Sequence, residues 1–251
     1  MAMQRARRLA SVAVVASLAV TGLSACRAEP SVAAYIGGSS KITESRVQDV
    51  FDEVTSAAAT AEKAPAQPGQ AVDTGPVVSR ADVLRTLLTV QVLGDVAKRQ
   101  SVTLPADLSL TEYATALRVP AQTEYLRLYA QGDTLIKLLR QKAQNAPAAS
   151  DEVLRQVYDV LITNQEIPAT AGFAEFKANL PEQNKVLVQS ASAVRQQISE
   201  VADGMDIKVN PRYQPVGISV LEFQTQAGEL RPLVTAPLGD EDDAAPVTDL
   251  S

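Results

Sequence analysis

The stretch Ser79–Gln100, SRADVLRTLLTVQVLGDVAKRQ, is the part of the sequence that decides the fold class. Its apolar residues recur at steps of three and four, as they do on one face of an α-helix. Val90 and Leu93 widen this apolar surface, so we predict that this is the most deeply buried helix of the protein. Ser79 and Asp82 have the spacing of a capping box, which indicates where the helix begins.

The same helical periodicity recurs on both sides of this stretch. It predicts helices over residues 43–63, 111–117, 123–144 and 150–162, short turns over 172–179, and a long last helix from Pro181 to a C-cap at Gly204. Strand-like segments lie near the two ends: Val32–Ile36 before a Gly-Gly turn, Ile207–Val209 and Ile218–Phe223. The sequence therefore predicts a mainly α fold with short strands at its N- and C-terminal ends.

The first 25 residues have a different character from the rest. Arg5, Arg7 and Arg8 are followed by an apolar run, Leu9–Val20, and then by small residues. This order is typical of a secretory signal peptide. The alternative is a transmembrane helix, which needs about 20 apolar residues, more than this run contains. We expect residues 1–25 to be a signal peptide.

The segment Leu23-Ser24-Ala25-Cys26 resembles the lipobox of bacterial lipoproteins. That resemblance implies cleavage before Cys26 and a diacylglyceryl group on its thiol. Cys26 is the only cysteine of the chain, so the alternative is an unpaired thiol without a role. Residues 26–31 would form a short tether, since its five residues after Cys26 reach roughly 15–18 Å when extended. We expect a lipid-anchored protein on the extracytoplasmic face of the cell membrane.

Charge and composition exclude several function classes. The chain has 23 basic and 29 acidic residues, and the predicted signal peptide removes three arginines and no acid. The remaining 20 basic against 29 acidic residues give a net charge of −9, which opposes binding to nucleic acid. There is no histidine, so His-based catalysis and His metal sites are excluded, and we expect no cofactor and no metal. A glycosidase that uses only carboxylates stays open.

Two segments lack the features of a packed core. Residues 64–78 contain three prolines and two glycines and form either a disordered connection or a working flap. Residues 236–251 hold five acidic residues and are expected to form a disordered tail. Between the short tether and this tail, we expect residues 32–235 to form one helical domain with a small β element.

Three tyrosines are candidate groove residues. Tyr125, Tyr129 and Tyr158 lie on the apolar faces of predicted helices. They either pack in the core with their hydroxyls at the rim or line a binding groove.

Three segments carry a resemblance to a known family. AAYIGGSSKIT (33–43) looks like the start of SurA/PrsA-type N-terminal chaperone domains, and IPATAGFAEFKANL (167–180) is similar to the segment before their last helix. DIKVNPRY (206–213) looks like the closing strand in actinobacterial SurA-like lipoproteins. The resemblance implies a helical cradle in which the N-terminal strand pairs with the strand after the last long helix. Parvulin isomerase domains of that family have no counterpart here.

The resemblance also implies a function, the binding of unfolded or newly exported polypeptides without catalysis. The mature chain has a single methionine, Met205, whereas Met-rich surfaces suit promiscuous binding. Two other functions therefore stay open. One is a scaffold lipoprotein with a specific partner in an envelope complex, and the other is a carrier of a small apolar ligand.

Overall fold

The structure is a computed structural model of the chain. It describes residues 31–38, 40–62, 78–168, 170–225 and 228–239. The predicted signal peptide, the lipobox, Cys26 and the acidic tail from residue 240 lie outside these ranges. So does the connection from residue 64 to residue 77.

The predicted fold class is confirmed, since helices dominate the described residues. The helices are α1 (Glu44–Glu62), α2 (Arg80–Arg99), α3 (Leu110–Leu117), α4 (Glu124–Lys142), α5 (Asp151–Thr163), α6 (Phe173–Asn179) and α7 (Glu182–Met205). The strands are β1 (Val32–Ile36), β2 (Ser40–Thr43), β3 (Lys208–Val209), β4 (Val216–Gln224) and β5 (Leu230–Leu238), and a 3₁₀ turn covers Pro211–Tyr213.

Helix α2 is the centre of the helical core, as its apolar pattern predicts. It packs against α1, α4 and α7 and also contacts β4. Leu84, Leu88 and Leu93 are completely buried, because these contacts cover the helix from several sides. Burial of one such leucine side chain contributes roughly 1.5–3 kcal/mol to folding.

The predicted capping box at the start of α2 is confirmed. The Asp82 backbone N–H donates to Ser79 Oγ at 3.1 Å, and the Ser79 backbone N–H donates to Asp82 Oδ2 at 3.0 Å. Two backbone donors that have no partner within the helix are thereby satisfied. Helix α3 provides a contrast, because its N-cap residue Ser109 makes no side-chain capping bond.

Ser79→Ala is therefore expected to lower the free energy of unfolding by about 0.5–2 kcal/mol, the usual cost of removing an N-cap side chain. The matched control is Ser109→Ala, which removes the same hydroxyl from an N-cap position where it caps nothing. Urea denaturation followed by circular dichroism measures both variants. Equal losses of stability would contradict the capping role of Ser79.

A three-stranded sheet joins the two ends of the helical core. Its strand order is β2-β1-β3, and both pairings are antiparallel. In the second pairing Ala34 and Tyr35 of β1 lie opposite Val209 and Lys208 of β3. Strand β1 thus pairs with the strand that follows the last long helix.

The second sheet is a hairpin of β4 and β5. One face carries Ile218, Val220, Val234 and Ala236, which are buried, and both strands pack against α7. The register shifts between Ser219 and Leu221, and again between Leu221 and Glu222, so that the adjacent Val220 and Leu221 are both buried. Such irregularities bend a strand and increase its local twist.

Two sequence-based boundaries are wrong. Helix α7 continues through Gly204 to Met205, and its C-cap is Asp206, whose backbone is left-handed with φ 45°. Aspartate tolerates this conformation better than most residues, so no glycine is needed there. The folded domain also extends beyond residue 235, since β5 reaches Leu238 and Ala236 is completely buried.

Candidate functional site

A groove of about 730 Å³ lies between helices α2 and α4 and the β4–β5 hairpin. We call it the hairpin groove. It is lined by one face of α4, by the N-terminal half of α2, and by residues of both strands. Three separate parts of the chain therefore meet around one concave surface.

The helical wall of the groove depends on a close approach of α2 and α4. Gly132 of α4 faces Thr89 of α2, and a Cβ placed on Gly132 would lie 3.0 Å from Thr89 Cγ2. The contact is tighter than a side chain normally allows, so the absence of a Cβ lets the two helices meet. The wall formed by their side chains is continuous as a result.

The apolar part of this wall comes from α4. Tyr125, Leu128, Tyr129 and Ile136 follow each other at helical spacing and line the groove together. Tyr125 is buried, whereas the other three remain partly exposed. The groove therefore has an apolar wall that the protein's own residues leave incompletely covered.

Tyr129 is held by two neighbouring aromatic rings. Its ring centroid lies 6.2 Å from that of Tyr113 in an edge-on arrangement and 6.4 Å from that of Tyr125. Burial is the main cause that raises the pKa of Tyr129, with a smaller contribution from the charge of Glu222. The phenol thus stays neutral and presents both a flat apolar surface and a polar end.

The two strands of the hairpin border the groove in different ways. Strand β5 contributes Leu230, Pro232, Thr235 and Pro237, which belong to the outer face of the hairpin. Strand β4 contributes every residue from Val216 to Val220. Because neighbouring side chains of a strand point to opposite faces, an unbroken run of lining residues means that the β4 backbone itself borders the groove.

Most charged side chains of the groove are paired. Arg85 Nη1 lies 2.7 Å from Asp82 Oδ1, and Lys137 Nζ lies 2.6 Å from Asp133 Oδ2. The Tyr113 hydroxyl donates a further hydrogen bond to Asp133 at 2.6 Å. Within each ion pair the positive and the negative charge neutralise each other. The two pairs fix the polar margin of the groove.

Arg140 and Ser219 differ from these paired groups. Arg140 Nε and Ser219 Oγ are buried atoms without a hydrogen-bond partner among the described residues. Burial lowers the pKa of Arg140, which the nearby charge of Asp133 partly offsets. Both residues line the hairpin groove, and a buried polar atom is normally hydrogen-bonded, so these two atoms are candidates for contact with a molecule bound there.

The structure brings together two of the three candidate groove tyrosines. Tyr125 and Tyr129 line the hairpin groove, and Tyr158 lies elsewhere, between α5 and α6. The ring of Tyr158 contacts Phe173 and Phe176 with centroids 5.7 and 5.5 Å apart, and its hydroxyl donates to the Ala171 carbonyl. Tyr158 therefore packs α6 onto α5.

A second, shallower depression lies near the start of α1. Its central residue is Glu44, which accepts a hydrogen bond from the Tyr213 hydroxyl at 2.6 Å and lies 3.5 Å from Arg212 Nη2. Burial, together with the hydrogen bond to Glu44, raises the pKa of Tyr213 to about 12. These contacts tie the 3₁₀ turn after β3 to the first helix, which is a structural role.

Within the described ranges, no group of three or more acidic side chains is placed to hold a metal ion. None of the helices in those ranges is long and apolar enough to cross a membrane. The lipidation candidate Cys26 and the lipobox residues Leu23, Ser24 and Ala25 lie outside the described residues, so their role stays a prediction.

Sequence reasoning missed Arg140 and Ser219. Arg140 carries a usable signal, because it continues the helical spacing of Gly132 and Ile136 and thus belongs to the same face of α4. Ser219 gives no signal of its own, since a serine in an alternating strand is ordinarily a solvent-facing residue. Its position in the groove follows only from the way the hairpin folds back onto the helices.

Comparison with family models, with curated proteins and with solved structures finds no match to this chain.

Proposed function

We propose that this protein is a lipid-anchored extracytoplasmic lipoprotein that binds unfolded or newly exported polypeptides in the hairpin groove without changing them chemically. The observation that carries the proposal is a groove of about 730 Å³ whose apolar wall is left partly exposed. Leu230 at its margin is 60% exposed and adds apolar surface to the groove. The lipobox at Cys26 and the resemblance to SurA-type domains give the expected location and the class of ligand.

The chemistry of the groove suits a polypeptide. Tyrosine rings and proline rings offer rigid surfaces to apolar side chains and lose little conformational freedom on binding. Polar atoms of Arg140 and Ser219 can bond to the carbonyl and carboxylate oxygens that any peptide contains. A mixture of apolar and polar surface is also usual for interfaces that form and dissociate.

A non-enzymatic role fits the carboxylates of the groove. Asp82 and Asp133 are each held by a cation on their own helix. Each of these carboxylates is engaged in an ion pair on the wall of the groove, whereas a general base must lie within hydrogen-bond reach of the proton that it takes from a ligand. These side chains therefore suit a structural role in the wall of the groove.

A carrier of a small amphipathic molecule is the second candidate function. The volume of the groove falls within the range of about 300–1,000 Å³ that is common for small-molecule sites. Native mass spectrometry of the protein purified from membranes distinguishes the candidates, because a carrier retains a ligand of defined mass. A scaffold role would instead give one stoichiometric partner in a pull-down from membranes.

Leu230→Gln is expected to weaken the suppression of aggregation of a chemically unfolded test protein by the full chain in liposomes. The substitution removes an exposed apolar group from the groove at little cost to folding. Loss of this leucine's contact would weaken binding by about five- to thirtyfold, since covering an apolar side chain of this size is worth roughly 1–2 kcal/mol.

Leu187→Gln is the matched control for this experiment. Leu187 lies on α7, is 43% exposed and does not line the groove. Light scattering gives the rate of aggregation for each variant at equal protein concentration. The proposal fails if the unaltered chain does not suppress aggregation at molar excess, or if the two variants reduce suppression equally.

A further inference from the structure

The free edge of β4 is the feature from which we draw the further inference. In the part of the chain that the structure describes, strand β4 pairs with β5 on one side only, in a sheet of two strands. Among the described residues, no backbone group of Val216–Gln224 bonds to a backbone group outside the hairpin. An unpaired edge of this kind is a template for one more strand.

The edge of β4 differs from the edge of β5. Strand β5 contains Pro232 and Pro237, which lack a backbone N–H and which proteins use to block strand addition. Strand β4 contains no proline and no lysine between Val216 and Gln224. Its residues from Val216 to Val220 also line the hairpin groove, so the strand with the unpaired backbone edge forms one wall of the groove.

The size of the groove agrees with a short strand. A strand in a packed sheet occupies about 160 Å³ per residue, from a rise of about 3.3 Å, a strand spacing of about 4.8 Å and a layer spacing of about 10 Å. A groove of about 730 Å³ thus holds about four or five residues. This length is close to that of residues 216–220, the unbroken run of β4 residues that line the groove.

The charge of the groove identifies the polar group that such a strand would carry. Arg85 and Lys137 are neutralised by Asp82 and Asp133, which leaves one cation, Arg140, and one carboxylate, Glu222, without an ion pair among the described groove residues. Arg140 Nε and Ser219 Oγ both lack a hydrogen-bond partner there. A guanidinium and a hydroxyl can each donate a hydrogen bond to a carboxylate, so both residues can contact a ligand in the groove that carries one.

We propose that an extended peptide binds in the hairpin groove as a third strand along β4 and places a carboxylate on Arg140 and Ser219. This inference rests on the proposed function and names its binding mode. The carboxylate comes either from an acidic side chain or from the C-terminus of the bound chain. The backbone bonds give affinity for any extended sequence, and the carboxylate selects among sequences.

The first test uses N-methylated peptides and the full chain in detergent micelles. A peptide of about seven residues that alternates valine and threonine is N-methylated at either the odd or the even positions, because a strand directs alternate N–H groups to opposite edges. Isothermal titration calorimetry measures the affinities. We expect one of the two methylated peptides to bind about tenfold or more weakly than the unmodified peptide. The peptide methylated at the other set of positions should bind nearly as well as the unmodified one.

The second test removes the carboxylate or its partners. The same peptide is prepared with a free C-terminus, with an amidated C-terminus and one internal glutamate, or amidated without any acid. Arg140→Gln and Ser219→Ala are each expected to weaken binding of the acidic peptides by about ten- to hundredfold, and to leave the peptide without acid unaffected. The acidic peptide whose affinity falls more with Arg140→Gln identifies the source of the carboxylate, either the C-terminus or the glutamate side chain.

A structural role of Arg140 is distinguished by thermal unfolding. An unpaired, half-buried cation opposes folding, so Arg140→Gln is expected to leave the midpoint unchanged or to raise it while binding falls. Arg127→Gln is the matched control, because Arg127 lies on the same helix, is 57% exposed and does not line the groove.

The failures of the two proposals are distinguishable. The third-strand mode is overturned if methylation at the odd and at the even positions weakens binding equally. It is also overturned if Arg140→Gln leaves the affinity unchanged. Both results leave peptide binding itself in place. Absence of peptide binding also overturns the third-strand mode. Failure of the full chain to suppress aggregation overturns the proposed function itself.

Discussion

Leu88→Ala is expected to lower the free energy of unfolding by about 2–5 kcal/mol, which is a large part of the total stability of a domain of this size. Leu88 lies in the middle of α2 and is completely buried. Helix α2 packs against α1, α4 and α7, so the surrounding helices cannot all move in to fill the space that the leucine leaves. Chemical denaturation of the full chain in micelles measures the loss.

Leu187→Ala is the control for this prediction, since it makes the same chemical change on an exposed position of α7. Its expected cost is at most about 1 kcal/mol, because little apolar surface is uncovered. Similar losses at Leu88 and Leu187 would contradict the central position of α2. Because α2 also forms one wall of the hairpin groove, the Leu88 variant should lose peptide binding at a lower denaturant concentration as well.

Cys26→Ala is expected to release the protein from the membrane fraction almost completely. The predicted attachment consists of acyl chains on this thiol, and two chains give stable anchoring where one gives only marginal binding. No other cysteine of the chain can replace it. Fractionation of cells, followed by detergent phase partitioning of the membrane extract, measures the distribution of the protein.

The control for this experiment is Arg27→Ala, which changes the next residue and keeps the thiol. It should remain in the membrane fraction with the mass of an acylated chain that begins at Cys26. If the Cys26→Ala protein also stays in the membrane and retains residues 1–25, then the N-terminal apolar segment is the anchor and the lipobox interpretation is wrong.

The helices were predictable because their apolar residues keep a regular period. Periods of three and four locate α1, α2 and α4 to within about two residues, the usual uncertainty of helix ends. The end of α7 was misplaced because glycine is the commonest residue after a helix, while here Asp206 adopts the left-handed conformation.

Strands were harder to predict, and β5 was missed. Pro232 and Pro237 interrupt its sequence, and proline normally argues against a strand. Strand β2 was missed because its four residues directly precede α1 and contain only one buried apolar side chain, Ile42. In both cases pairing with a neighbouring strand outweighs the local preference of the residues.

The hairpin groove shows where sequence patterns stop being informative. The face of α4 that lines it was visible as a stripe of apolar residues, with Tyr125 and Tyr129 among them. Its opposite side is formed by β4 and β5, whose placement depends on contacts with α7 and not on their own sequence. The presence of Arg140 and Ser219 in one groove is therefore a property of the tertiary structure.

The position of β1 between β2 and β3 has a consequence for the order in which the chain folds. The side-chain amide of Asn210, next to β3, bonds to the Val32 carbonyl, a contact between residues 178 positions apart in the sequence. A chain that emerges N-terminus first can form the β1–β2 hairpin at once, but it must wait for nearly the whole domain before β3 arrives. Contacts of such long range slow folding, so the maturing chain spends this interval with one edge of β1 open to strands of other molecules.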